Sequence, residues 1–308
     1  MEGGSSSRAV IEYYDDCHTD YRMVWRSHRN LCIHFGYFDA QHRSHEQGLV
    51  NMNRVLAERV GITSRDHVLD AGCGIGGSSI WLALNRGARV SGVNIQPLHV
   101  RLAREEARQR GVEGLVRFEQ RDYCDTGLPD AGFDVLWALE SVCHAPDKNA
   151  FVREAHRLLR EGGRIVVADF FQFKPELDPA ERRRMRGWLD GWALPHLAPV
   201  NEFQEYLASS GFEDVRFEDI TAHVMPSSRR LYAAGLLTLP FAKPLELLGV
   251  RTKRQTANVA ACFHQYRTIA AGLWGYGIFT GRKPGPPAAG PGLSAPGPRL
   301  EPDQNPER

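Results

Sequence analysis

The chain has 308 residues, 42% of them hydrophobic, and a formal net charge of +1. That is enough apolar material for one large domain or a domain with a cap, and the near-neutral balance argues against a nucleic-acid partner. The six cysteines (17, 32, 73, 124, 143 and 262) are scattered without a CxxC pair, which argues against a disulfide framework or zinc site and fits a reducing, cytoplasmic setting.

In chain order, "MEGGSSSRAV" shows no basic stretch followed by an apolar core, so no signal peptide is expected. No apolar run approaches the roughly 20 residues of a membrane span, so no membrane insertion is expected. Residues 1–8, small and polar, and the Pro/Gly-rich residues 284–308 are expected to be disordered. Between them, residues 9–283 read as one domain. "HVLDAG", "ARVSGVNI", "VRFEQRDY", "FDVLWALE" and "GRIVVADFF" are β-type runs, separated by helical stretches such as "LHVRLAREEARQRG" and "KNAFVREAHRLLREGG". "EDVRFEDI" and "YGIFTGRK" add two more strands. Alternation of this kind predicts an α/β fold: a mostly parallel sheet with helices on both faces and ligands beyond the carboxyl ends of the strands. Residues 9–60 and the helical insert 222–274 are expected to form a cap over those ends.

The sharpest local signal is "VLDAGCGIGG", where a strand ends at Asp70 and a Gly-rich turn (Gly72, Cys73, Gly74, Gly76) leads into the helix "SSIWLAL". Such a turn lets backbone approach a ligand at a helix N-terminus. A bare GxGxxG also suits a dinucleotide or a purely structural turn. Here an acid precedes the first glycine, which would repel a pyrophosphate and attract a cation. Farther on, "SGVNIQP" places Asn94, Ile95 and Gln96 after the second strand, and "QRDYCD" places Asp122 and Tyr123 after the third. Asp122 reads as a strand-end acid placed for ligand binding or as a helix cap.

After the fourth strand comes "WALESVCHAPD", with Trp137, Glu140 and His144. Glu140 is either a carboxylate at the mouth of a site or an exposed loop acid. His144 either takes part in proton transfer, orients Glu140 or caps the next helix.

The order D-x-G-C-G-x-G-G resembles the first motif of class I S-adenosylmethionine-dependent methyltransferases. The stretch around Glu140, with "YYDD", "HRNLCIHFGYFD" and "GLWGYGIFTGRK", resembles the sterol and tocopherol methyltransferase-like group. A similar Glu occurs in bacterial prenyl diphosphate C-methyltransferases. The resemblance covers roughly residues 13–283 and implies a Rossmann-like, seven-stranded sheet. It implies that Asp70, the glycine loop, Asn94, Ile95, Gln96, Asp122, Tyr123, Tyr14 and His34 hold S-adenosylmethionine, with His34 at its carboxylate end. Trp25, Phe35, Tyr37 and Trp137 would contact a lipophilic acceptor. Trp188, Trp192, Phe263, Tyr266 and Trp274 read as core packing. The expected reaction is methylation of an isoprenoid alkene carbon, with Glu140 and His144 stabilising and deprotonating a carbocation. O- or N-methylation of a hydrophobic natural product is the alternative, and a silent S-adenosylmethionine-binding regulator a third reading. No metal ligands are expected. Mg²⁺ enters only if the acceptor is a diphosphate, for which "ERRRMRG" and "SSRR" would supply arginines if they are not solvated faces. The oligomeric state stays open.

Overall fold

The computed structural model describes residue 8, residues 10–17, residue 20 and residues 31–285. Most of the termini expected to be disordered, and Trp25, lie outside the described residues. Among the described residues, seven strands form one sheet: β1 His67–Ala71, β2 Arg89–Asn94, β3 Val116–Gln120, β4 Phe133–Leu139, β5 Leu159–Gln172, β6 Glu213–Asp219 and β7 Trp274–Arg282. Their order is β3-β2-β1-β4-β5-β7-β6. Neighbours pair in parallel except β7, which runs antiparallel to both β5 and β6. After the helical residues 10–17, the described helices are α1 His45–Arg59, α2 Gly77–Arg86, α3 Pro97–Gln109, α4 Lys148–Leu158, α5 Pro179–Leu189, α6 Val200–Ser209, α7 Thr221–Leu247 and α8 Lys253–Ala270.

The apolar runs become central strands because both faces of a parallel sheet are covered. Every residue of β4 is buried. Alternate side chains point to opposite faces: Val68, Val135, Trp137 and Val166 join one core cluster, while Leu69, Leu136, Ala138 and Val167 join the other. One boundary differs from the sequence reading. "LREGG", taken as the end of a helix, opens β5, because α4 ends at Leu158 and Leu159 pairs with Phe133.

Strand order reverses around β1 and β4, which puts the natural ligand crevice at their carboxyl ends. Above it, α7 and α8 pack on each other. α7 continues through Pro226, Pro240 and Pro244, and its outer part and C-cap expose Leu237, Phe241, Leu247 and Leu248. Residues 10–17 are helical and tied to α8. Tyr13 donates to Asn258 Oδ1 (2.8 Å), Arg254 reaches Asp16 (2.8 Å) and Glu12 (3.2 Å), and Gln255 donates to the Asp16 carbonyl (2.8 Å). Of the residues 9–60 assigned to the cap, α1 instead covers the sheet. It packs against α2 and β5, and Arg59 pairs with Glu218 on β6.

Candidate active site

Two adjoining chambers lie beyond β1 and β4, with Tyr14, Ile33, Glu140 and His144 in the lining of both. The first is built on the glycine loop. Gly72 sits at φ +88°, where a side chain would be strained and would overlap Ser141. Its N–H and that of Cys73 donate to the Val93 carbonyl (2.9 and 3.0 Å), folding the loop over β2. Ser141 Oγ donates to the Ala71 carbonyl (2.6 Å), locking the end of β4 to the end of β1.

Tyr14, His34, Asp70, Gly72, Cys73, Gly74, Asn94, Ile95, Asp122, Tyr123, Glu140 and His144 all line this first chamber. Burial raises the Asp70 pKa to about 7, against the opposing hydrogen bond from Ser79 Oγ (2.6 Å). Asn94 Oδ1 accepts from the Gln96 N–H (2.9 Å). Asp122 accepts from the Cys124 N–H (2.8 Å), a local turn rather than a helix cap. Tyr123 donates to the Ser141 carbonyl (2.7 Å). Two expected members stand back from the lining. Gly76 is the N-cap of α2, and Gln96 caps α3 while its amide donates to the Ile11 carbonyl (3.1 Å) and Asp15 (2.9 Å).

His34 corrects an expectation. Its Nδ1–H donates to the Phe35 carbonyl (2.9 Å), so Nε2 is an acceptor, and that buried atom has no partner among the described residues. Burial lowers its pKa to about 4, leaving it neutral. In this tautomer it suits an ammonium, not the carboxylate assigned to it.

Among the described residues no Lys or Arg lines either chamber, whereas Asp70, Asp122 and Glu140 line the first. That donor set fits a ligand carrying a sulfonium and an ammonium and disfavours a dinucleotide pyrophosphate.

Glu140 follows β4 with φ +49°, in the left-handed region that a non-glycine side chain rarely adopts. Its Oε1 accepts from the Phe35 N–H (2.6 Å) and the Tyr276 hydroxyl (2.8 Å). Burial pushes its pKa up to about 8, only partly opposed by these two donors. Around it, Phe35 stacks on Tyr276 (6.0 Å between ring centres) and meets Phe170 edge-on (5.4 Å) and Trp192 (6.5 Å). Phe35, Phe170, Trp192, Leu194 and Leu231 line the second chamber.

His144 neither orients Glu140 nor caps a helix. Its Nδ1–H donates to the Ala193 carbonyl (3.3 Å), Nε2 meets the Tyr14 hydroxyl (3.1 Å), and burial lowers its pKa to about 4. Asp147 caps α4 instead. The intervening turn is held from two sides. Asp169 accepts from the Cys143 N–H (2.9 Å), and the buried Lys148 ammonium donates to the Ala145 carbonyl (2.8 Å) and the Cys143 carbonyl (3.4 Å).

Two aromatic assignments also fall away. Trp137 is fully buried inside the sheet, paired with Asp70 on one side and Val166 on the other, and lines neither chamber. Tyr37 stacks on His223 (4.2 Å) and bonds through its backbone to Gly48, outside both linings. Conversely, Trp192, read as core, lines the second chamber. Tyr276 was missed as an individual residue although its segment stood out. It reaches Glu140 only because β7 runs antiparallel to β5, pairing Tyr276 with Phe170.

A family model described as a methyltransferase domain matches residues 69–167. The chain is 33% identical over 196 residues to the 27-O-demethylrifamycin SV methyltransferase of Amycolatopsis mediterranei, covering 63% of this chain and 71% of that one. It is 30% identical over 220 residues to the sterol 24-C-methyltransferase of Eremothecium gossypii, covering 70% and 59% respectively. Among solved structures, the cyclopropane synthase MmaA2 from Mycobacterium tuberculosis shares the fold, with a TM-score of 0.74 at 14% identity over 90% of this chain and 98% of that one.

Proposed function

Because the chain belongs to the S-adenosylmethionine-dependent methyltransferases, we propose that it methylates an alkene carbon of a lipophilic, isoprenoid-type acceptor lying in the second chamber. The cofactor, when bound in the first chamber, supplies an electrophilic methyl group. One observation carries the reading: Glu140 stands where the two chambers adjoin, its carboxyl fixed by Phe35 and Tyr276 among aromatic rings.

An alkene that accepts a methyl group becomes a carbocation and must then lose a proton. Aromatic faces stabilise the cation, and Glu140, in the ionised fraction that grows as pH approaches 8, adds its charge and then receives the proton. The apolar lining keeps water from quenching the cation. Tyr276 and the Phe35 N–H hold Oε1 in place.

Glu140→Gln keeps size and hydrogen-bonding capacity while removing the charge. Calorimetry is expected to find S-adenosylmethionine affinity within a few-fold of wild type. Turnover to S-adenosylhomocysteine should fall by about 10²–10⁴-fold. A near wild-type rate would sink the alkene reading.

A second reading, transfer to a hydroxyl or amine, draws on the neutral His144 imidazole at the shared wall and on the O-methyltransferase among the relatives. Product NMR separates the two, since the new methyl resonates on carbon in one case and on oxygen or nitrogen in the other.

A further inference from the structure

The second chamber has a polar end that the transfer chemistry does not use. Its lining includes Glu140, fixed to the sheet through Tyr276, and Asp20 and Asn258, held on the cap side through Arg251 and α8. Asp20 and Asn258 are each 8% exposed. Arg251 grips Asp20 with both Nη atoms (3.1 and 2.6 Å), so the pair is neutral overall while the carboxylate oxygens retain accepting capacity. Asn258 Oδ1 is taken by the Tyr13 hydroxyl (2.8 Å), whereas its amide nitrogen has no hydrogen bond among the described residues. The staple between the N-terminal helix and α8 accounts for Oδ1. It does not account for a donor left facing an otherwise largely apolar chamber.

A donor and an acceptor that both line the cap side of one chamber match one group best. A hydroxyl accepts from the Asn258 amide and donates to Asp20. A diphosphate would meet the carboxyl groups of Asp20 and Glu140, with no Lys or Arg among the chamber's described lining residues. An ammonium gains little from a carboxylate already neutralised by a guanidinium. We propose that the acceptor carries a neutral hydroxyl at the end remote from its reacting carbon, bound between Asn258 and Asp20. This deepens the acceptor reading above and rests on it for the identity of the chamber.

Binding tests the subsite without requiring turnover. Two bodies are titrated into the protein saturated with S-adenosylhomocysteine: farnesol and desmosterol, each as the free alcohol, the methyl ether and an anionic ester (diphosphate and sulfate respectively). For at least one body the alcohol is expected to bind about tenfold tighter than its ether, the size of one well-made hydrogen bond, with the anion no tighter than the ether. Asn258→Leu should bring that alcohol down to its ether and leave the ether unchanged. Asn258→Asp, which retains the acceptor for Tyr13 but lacks the amide donor, should do the same if the Leu variant folds poorly. Equal binding of alcohol and ether, tightest binding by an anion, or binding of neither alcohol overturns the proposal. An alcohol that binds as described but is methylated on oxygen leaves the subsite standing and removes the alkene reading instead.

Discussion

The Glu140 carboxyl loses more on leaving water than its two donors return, and its pKa rises from the ordinary glutamate range to about 8. Between about pH 4.5 and 8 the unfolded chain is ionised there while the folded protein stays protonated. The unfolded state therefore binds fewer protons, and stability falls as pH rises through that window. Glu140→Gln removes the penalty. In cofactor-free denaturant unfolding its stability gain should be smallest near pH 4.5 and grow towards pH 8, up to about 4 kcal/mol at roughly 1.4 kcal/mol per pKa unit. A gain independent of pH would contradict the burial account. Asp70 titrates in the same region, near 7, and is neutral below it and anionic above it. A cationic cofactor should accordingly bind tighter at pH 8 than at pH 6, by up to about tenfold. Asp70→Asn should weaken binding by about ten- to a hundredfold at pH 8 and flatten most of that dependence, Glu140 supplying the remainder. Calorimetry at the two pH values checks both statements.

At the scale of elements, the N-terminal helix contributes Tyr14 to both chambers and is held to α8 chiefly by polar contacts. Arg254 is 40% exposed, so each of its ion pairs contributes at most about 1 kcal/mol. Arg254→Gln should leave global unfolding nearly unchanged yet speed hydrogen exchange in residues 10–17 and weaken S-adenosylmethionine several-fold. Unaltered exchange there would mean that the polar contacts do not hold the helix. The sequence revealed the parallel strands and the glycine loop because both are local: an apolar run of strand length, and an acid followed by glycines. It could not reveal that β7 turns antiparallel and slots between β5 and β6, since strand order depends on distant pairing. Tyr276 therefore stayed hidden, and Trp192 looked like packing. Trp137 was misplaced because nearness in sequence to Glu140 says nothing of depth, and Trp137 sits inside the sheet with a strand on either side.

For the whole molecule, the central strands and the projecting cap differ in how they meet water. β4 is wholly buried, whereas Leu237 and Phe241 are 73% and 68% exposed on the outer part of α7. Replacing both with Lys should shift unfolding by no more than about 0.5 kcal/mol and lower self-association in light scattering, as expected for side chains that bury little. A marked loss of stability would place them in the core. The fold also contains a temptation for anyone engineering it. Glu140 combines a left-handed backbone with a carboxyl poorly matched to its surroundings. A glycine there would relax the first and delete the second. A library screened for heat resistance alone should therefore discard Glu140 early and, with Glu140 in its proposed role, return sturdier proteins that turn over far more slowly, so any stabilisation campaign on this scaffold has to select for activity in the same round.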